Sequence, residues 1–116
     1  YPNVTFLGER AHDQLPSYSQ HWCVSMLPFV DNPQIRACNP LKLREYLAAG
    51  RPVVSTRFPA VEQYEDLVTV VDDADAMISA LQRSAMAEPN PMQRGIVADH
   101  TWSARASELS GWLESL

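Results

Sequence analysis

Lys42 and Glu45 stand three residues apart in the stretch Asn39-Pro-Leu-Lys-Leu-Arg-Glu45. On a helix, that spacing puts the ammonium and the carboxylate on one face, opposite an apolar stripe of Leu43, Tyr46 and Leu47. The first turn of such a helix leaves the backbone N–H groups of Leu41 and Lys42 pointing outward at the positive end of the macrodipole. Two free donors beside an ammonium form a clamp for a phosphate or pyrophosphate. A carboxylate one turn further in can accept hydrogen bonds from ribose hydroxyls. The plainer alternative is an intrahelical ion pair, worth about 0.3 kcal/mol.

Charge along the chain favours an anion at this place. The 116 residues carry a net charge of −5, yet five cations (Arg36, Lys42, Arg44, Arg51 and Arg57) face only Glu45 between positions 36 and 57. Lys42 is the sole lysine. Lys42 and Arg44 sit in the first half of the expected helix, where cations oppose the macrodipole and a bound anion would reverse the penalty. A positive island on an acidic chain suits a local anion site, whereas nucleic-acid binding calls for a basic face across the domain. A solvated, salt-bridged surface is the alternative that charge alone leaves open.

The elements around this helix follow from pattern. Asn39 is a strong N-cap, Pro40 suits the first helical position and Gly50 supplies the stop. Asn3–Leu7 alternates and ends at Gly8, which predicts a strand and a turn. Leu15, Tyr18 and Trp22 recur at helical spacing, with Pro16 in the first turn. Cys23–Leu27, Pro52–Thr56 and Leu67–Val71 are short apolar runs, the last two rich in β-branched residues, as in a parallel sheet covered on both faces. Asp73 to Asp75 cap a helix carrying Met77, Ile78 and Leu81. After the breaker Glu88-Pro-Asn-Pro91, the tail reads as helical with a break near Asp99-His-Thr101. Its last part aligns Trp102, Ala106, Leu109, Trp112, Leu113 and Leu116 in one stripe, for packing here or against another domain.

This order of strands and helices predicts an α/β fold, residues 1–116 forming a Rossmann-like parallel sheet with helices on both faces. In such sheets ligands bind beyond the carboxyl ends of the strands, and the loop from Pro28 to Asn39 lies there. A chain of this length can bury a core without disulfides. Cys23 and Cys38 have no metal-ligand or CxxC spacing, so both read as reduced thiols. No apolar run reaches the ~18 residues of a membrane span, and the first residues lack a signal-peptide pattern, which reads as a soluble, cytoplasmic protein. The start at Tyr1 reads as a piece of a longer protein.

The stretch Asn39-Pro-Leu-Lys-Leu-Arg-Glu-Tyr-Leu-Ala-Ala-Gly-Arg-Pro-Val-Val54 strongly resembles the donor-site helix and following strand of GT-B glycosyltransferases of the group 1, family-4-like kind. Val4-Thr-Phe-Leu-Gly8 and Val24-Ser-Met-Leu-Pro-Phe29 resemble the two strands before it. The resemblance covers essentially the whole chain and implies the C-terminal part of the donor-binding domain, with the N-terminal acceptor domain and the first donor-domain strands absent. It implies that Glu45 binds the ribose of a nucleoside-diphosphate sugar. Asn39, Leu41 and Lys42 would face the diphosphate or the sugar, and Glu9, Arg10 and Ala11 would lie beside the nucleobase. One departure is clear: where many retaining members carry a first glutamate touching the sugar, this chain has Ala37, which Arg36 or Asn39 can offset. In the usual strand order 3-2-1-4-5-6, strand Asn3–Leu7 would be parted from its sequence neighbour by two missing strands.

The expected function is therefore the donor half of a glycosyltransferase moving a sugar from a UDP- or GDP-type donor to an acceptor, in polysaccharide biosynthesis. It calls for no metal or cofactor, since charge at the helix start stabilises the leaving diphosphate. No catalytic residue is placed in this chain, and the fragment alone is expected to be inactive. Expected partners are the nucleotide-sugar donor, the acceptor domain and, through the full-length protein, a membrane surface, but no nucleic acid. The alternative is a non-catalytic Rossmann-like interaction module, with Trp102 and Trp112 facing another domain. His12, His21 and His100 are scattered with no nucleophile at motif spacing. Asp72, Asp73 and Asp75 read as a helix cap before a metal site, Cys38 as a small buried residue, and Phe29, Phe58 and Tyr64 as core closure.

Overall fold

A computed structural model describes residues 1–116. Its centre is a parallel sheet of three strands, β1 (Ser25–Leu27), β2 (Val53–Thr56) and β3 (Val68–Val71), in the order β1-β2-β3. Met26 pairs with Val54, and Val54 with Thr69. The helices are α1 (Leu15–Ser19), α2 (Pro33–Arg36), α3 (Leu41–Ala49), α4 (Pro59–Glu62), α5 (Ala74–Ser84), α6 (Pro91–Ile96) and α7 (Trp102–Glu114).

The near-continuous apolar runs are explained by two covered faces. Alternate residues of a strand point to opposite sides, so Val53 and Val68 join Leu27, Leu43, Leu47, Phe58 and Val61 on one face. Val54 and Val71 meet Met77 and Ala80 of α5 on the other. The Rossmann-like reading with helices on both faces holds. Asp73 caps α5 by accepting from the Ala76 N–H at 2.7 Å, and Thr101 caps α7 through the Ala104 N–H at 3.1 Å. The acidic trio is thereby divided: Asp73 caps, while Asp72 takes Arg57 at 3.0 Å.

Three expectations are corrected. Asn3–Leu7 is not a strand, and Phe6 stands 93% exposed. A strand is stable only against a neighbouring backbone, and none lies beside this segment; the turn expected at Gly8 does not form either, although Gly8 takes a positive φ of 75°. Asn39 does not cap α3. Pro40 occupies the cap position in extended geometry, φ −71° and ψ 133°, and the Asn39 side chain accepts from Arg44 Nη1 at 2.8 Å instead. The expected helix through Trp22 ends at Ser19.

The apolar stripe of α7 is exposed, with Trp102 at 82% and Trp112 at 62%. The radius of gyration, 16.1 Å, exceeds the ~13 Å of a compact chain of this length, because α7 and the first eleven residues stand away from the sheet.

Candidate functional site

α3 follows β1 through the loop at the carboxyl end of the sheet, where α/β folds place ligands. Leu43 and Leu47, both fully buried, fix its inner face against the core. Gly50, at φ 73°, ends it in the left-handed conformation that glycine adopts without strain. The far end is pinned by Arg94, which donates to the carbonyls of Ala48 and Ala49 at 3.0 and 3.3 Å. A cation there complements the negative end of the helix. At the other end no side chain caps α3, and the Leu41 and Lys42 N–H groups find no intrahelical acceptor.

The free face of α3 forms one wall of a groove of about 360 Å³, opened by Lys42, Glu45 and Tyr46. α1 and the single 3₁₀ turn before it, His12–Gln14, form the opposite wall with His12, Tyr18 and Trp22. Two contacts hold this wall at its far end. Trp22 meets Tyr46 edge-on, with ring centroids 5.7 Å apart at 84°, and Arg51 Nε donates to the Gln20 carbonyl at 2.9 Å. The groove is thus aromatic at its base and carries one carboxylate between two basic groups. Lys42 Nζ lies 3.6 Å from Glu45 Oε2, and His12 Nε2 lies 3.6 Å from Glu45 Oε1.

The residues expected to act together are only partly gathered. Lys42 and Glu45 share the groove, and Leu41, 61% exposed, opens α3. Arg36 lies in a second cleft of about 410 Å³ at the strand ends, with Phe29, Asp31, Thr56, Arg57 and Asp72. There its guanidinium grips Asp31 through two bonds of 2.7 Å, which hold the Asp31 carboxyl below its ordinary range. Arg57 bridges Asp72 at 3.0 Å and Glu65 at 2.7 Å, and these bonds raise its own pKa. Glu9, Arg10 and Ala11 do not line the α1–α3 groove: Arg10 braces the approach to it, donating to Tyr18 Oη at 3.0 Å and to the Glu9 carbonyl at 2.9 Å. His12 is the groove residue that sequence spacing missed, since its partner Glu45 is far along the chain.

Such a groove beside an uncapped helix start agrees with comparison to known proteins. A family model described as "Glycosyl transferases group 1" matches residues 1–86. The chain belongs to the group 1 glycosyltransferases. The Bacillus subtilis (strain 168) protein TuaH, named as a teichuronic acid biosynthesis glycosyltransferase, is 36% identical over 64 residues, which is 55% of this chain and 16% of TuaH. The chain thus spans a small part of the length of this relative. No solved structure matches it. No helix is long and apolar enough to cross a membrane.

Proposed function

We propose that this chain is the donor-binding part of a glycosyltransferase that moves a sugar from a nucleoside-diphosphate sugar to an acceptor. The observation carrying this reading is the pairing of an uncapped α3 N-terminus with Lys42 and Glu45 on the wall of one groove. The diphosphate lies against the Leu41 and Lys42 N–H groups and the Lys42 ammonium, and the ribose hydroxyls donate to Glu45. Charge at the helix start then favours departure of the diphosphate, because developing negative charge on the leaving group meets fixed donors. No metal is called for.

The Lys42–Glu45 ion pair seen here is the plainer arrangement that spacing also allowed. Both side chains are partly exposed, so opening the pair for a ligand costs about 1 kcal/mol or less. The relative's naming for teichuronic acid biosynthesis supports polysaccharide biosynthesis as the setting. Asn39 is engaged by Arg44 and Arg36 by Asp31, so either must exchange partners to reach the sugar in place of the residue absent at Ala37.

The test is equilibrium binding of UDP-glucose and GDP-mannose to the chain and to Lys42→Ala. Saturable binding of one donor, weakened about tenfold in the variant, is expected. A folded chain that binds neither contradicts the reading. That outcome would favour an interaction module, for which the exposed Trp102 and Trp112 of α7 are the supporting observation.

A further inference from the structure

His12 contributes little to the fold that its backbone does not already supply. Its turn is closed by the Gln14 N–H on the Ala11 carbonyl at 3.0 Å and by the Leu15 N–H on the His12 carbonyl. The imidazole is 87% exposed, and its ion-pair contact is with Glu45, on the carboxylate oxygen that Lys42 does not face. The wall carrying it is held at the far end by Trp22 and Arg51 and braced by Arg10 on Tyr18. His12 is therefore presented to Glu45 at the open end of the groove.

We propose that His12 is a positioning residue for the donor: uncharged, it leaves the Glu45 carboxylate free for the ribose hydroxyls, and charged, it draws that carboxylate onto itself and weakens binding. The proposal rests on the donor reading. The titratable groups that line the groove with His12 are Lys42, Glu45 and Tyr46 of α3 and Tyr18 of α1, with Asp13 next to it in sequence and Arg10 bound to Tyr18. Of these side-chain classes, only imidazole ordinarily changes charge between about pH 5 and 8. In the ligand-free chain Lys42 faces the other carboxylate oxygen, so the contact at Oε1 belongs to His12. Competition at an exposed pair corresponds to about a two- to fivefold loss of affinity.

The experiment measures Kd for UDP-glucose and GDP-mannose between about pH 8 and about pH 5.5. These donors esterify the diphosphate at both ends, so its charge stays constant over the range. The chain is compared with His12→Gln and with His21→Gln, whose imidazole takes no part in the groove and lies 2.7 Å from the Ser17 carbonyl. Expected are weaker binding at the acid end in the unmodified chain, a flat profile in His12→Gln, and the original profile in His21→Gln. A flat profile in the unmodified chain, or an acid loss that survives in His12→Gln, overturns the role of His12 and leaves the donor reading standing. Absence of binding at every pH overturns both.

Discussion

Replacing Glu45 by alanine separates a binding role from a structural one, because the structure assigns the carboxylate little of the fold's stability. Its side chain is 38% exposed and its two ion-pair contacts are 3.6 Å long. Exposed pairs contribute about 0.2–1 kcal/mol, and alanine, the stronger helix former, recovers part of that loss. The core beneath α3 is untouched, since Leu43 and Leu47 point to the other side. Unfolding free energy should therefore fall by about 1 kcal/mol or less. Hydrogen bonds to a charged group contribute about 1.5–3 kcal/mol, so losing the carboxylate that holds the ribose should weaken donor binding about 10- to 100-fold. Calorimetric titration with UDP-glucose and GDP-mannose reads the affinity, and urea unfolding followed by circular dichroism reads the stability. Affinity within about threefold of the unmodified chain would refute the ribose role. A loss of affinity matched by a loss of fold would refute the separation.

Three further outcomes test the scaffold. Leu47→Ala, at a fully buried position, should lower unfolding free energy by about 2–5 kcal/mol in urea titration; a change below about 1 kcal/mol would show that α3 is not seated on the sheet as described. Arg94→Ala removes the donors on the Ala48 and Ala49 carbonyls and should cost about 1 kcal/mol, with faster hydrogen exchange in the last turn of α3. The Asp31 carboxyl is held below its ordinary range by Arg36, so its contribution is present above about pH 4 and is lost as pH falls through the depressed value. Urea midpoints should accordingly fall less in acid for Asp31→Asn than for the unmodified chain.

What was legible in the sequence was what local chemistry decides. Gly50 ends α3 because its left-handed conformation is a property of one residue, and Asp73 caps α5 because its acceptor reaches only three residues on. The strands at Val53 and Val68 were legible because a run covered on both faces has to be apolar throughout. The strand expected at Asn3–Leu7 carries a sound alternation, yet pairing depends on a second backbone that its own residues cannot specify. Asn39 illustrates competition: a good capping side chain was taken by Arg44, and Pro40 assumed the cap position. In the groove, Lys42 and Glu45 were visible as a helical pair, whereas His12 and Trp22 became neighbours of that pair only when α1 packed beside α3. Arg36 looked close to the helix start in sequence, but its bond to Asp31 places it in the second cleft.

The central claim, that the start of α3 and the groove beside it form the donor half-site, is tested most directly by amide NMR of the chain titrated with UDP and GDP. Saturable shifts confined to Leu41–Tyr46 and to His12–Trp22, abolished in Lys42→Ala, are the predicted result. A well-dispersed spectrum with no shifts at those residues, or with shifts only in the Arg36–Arg57 cleft, would contradict it.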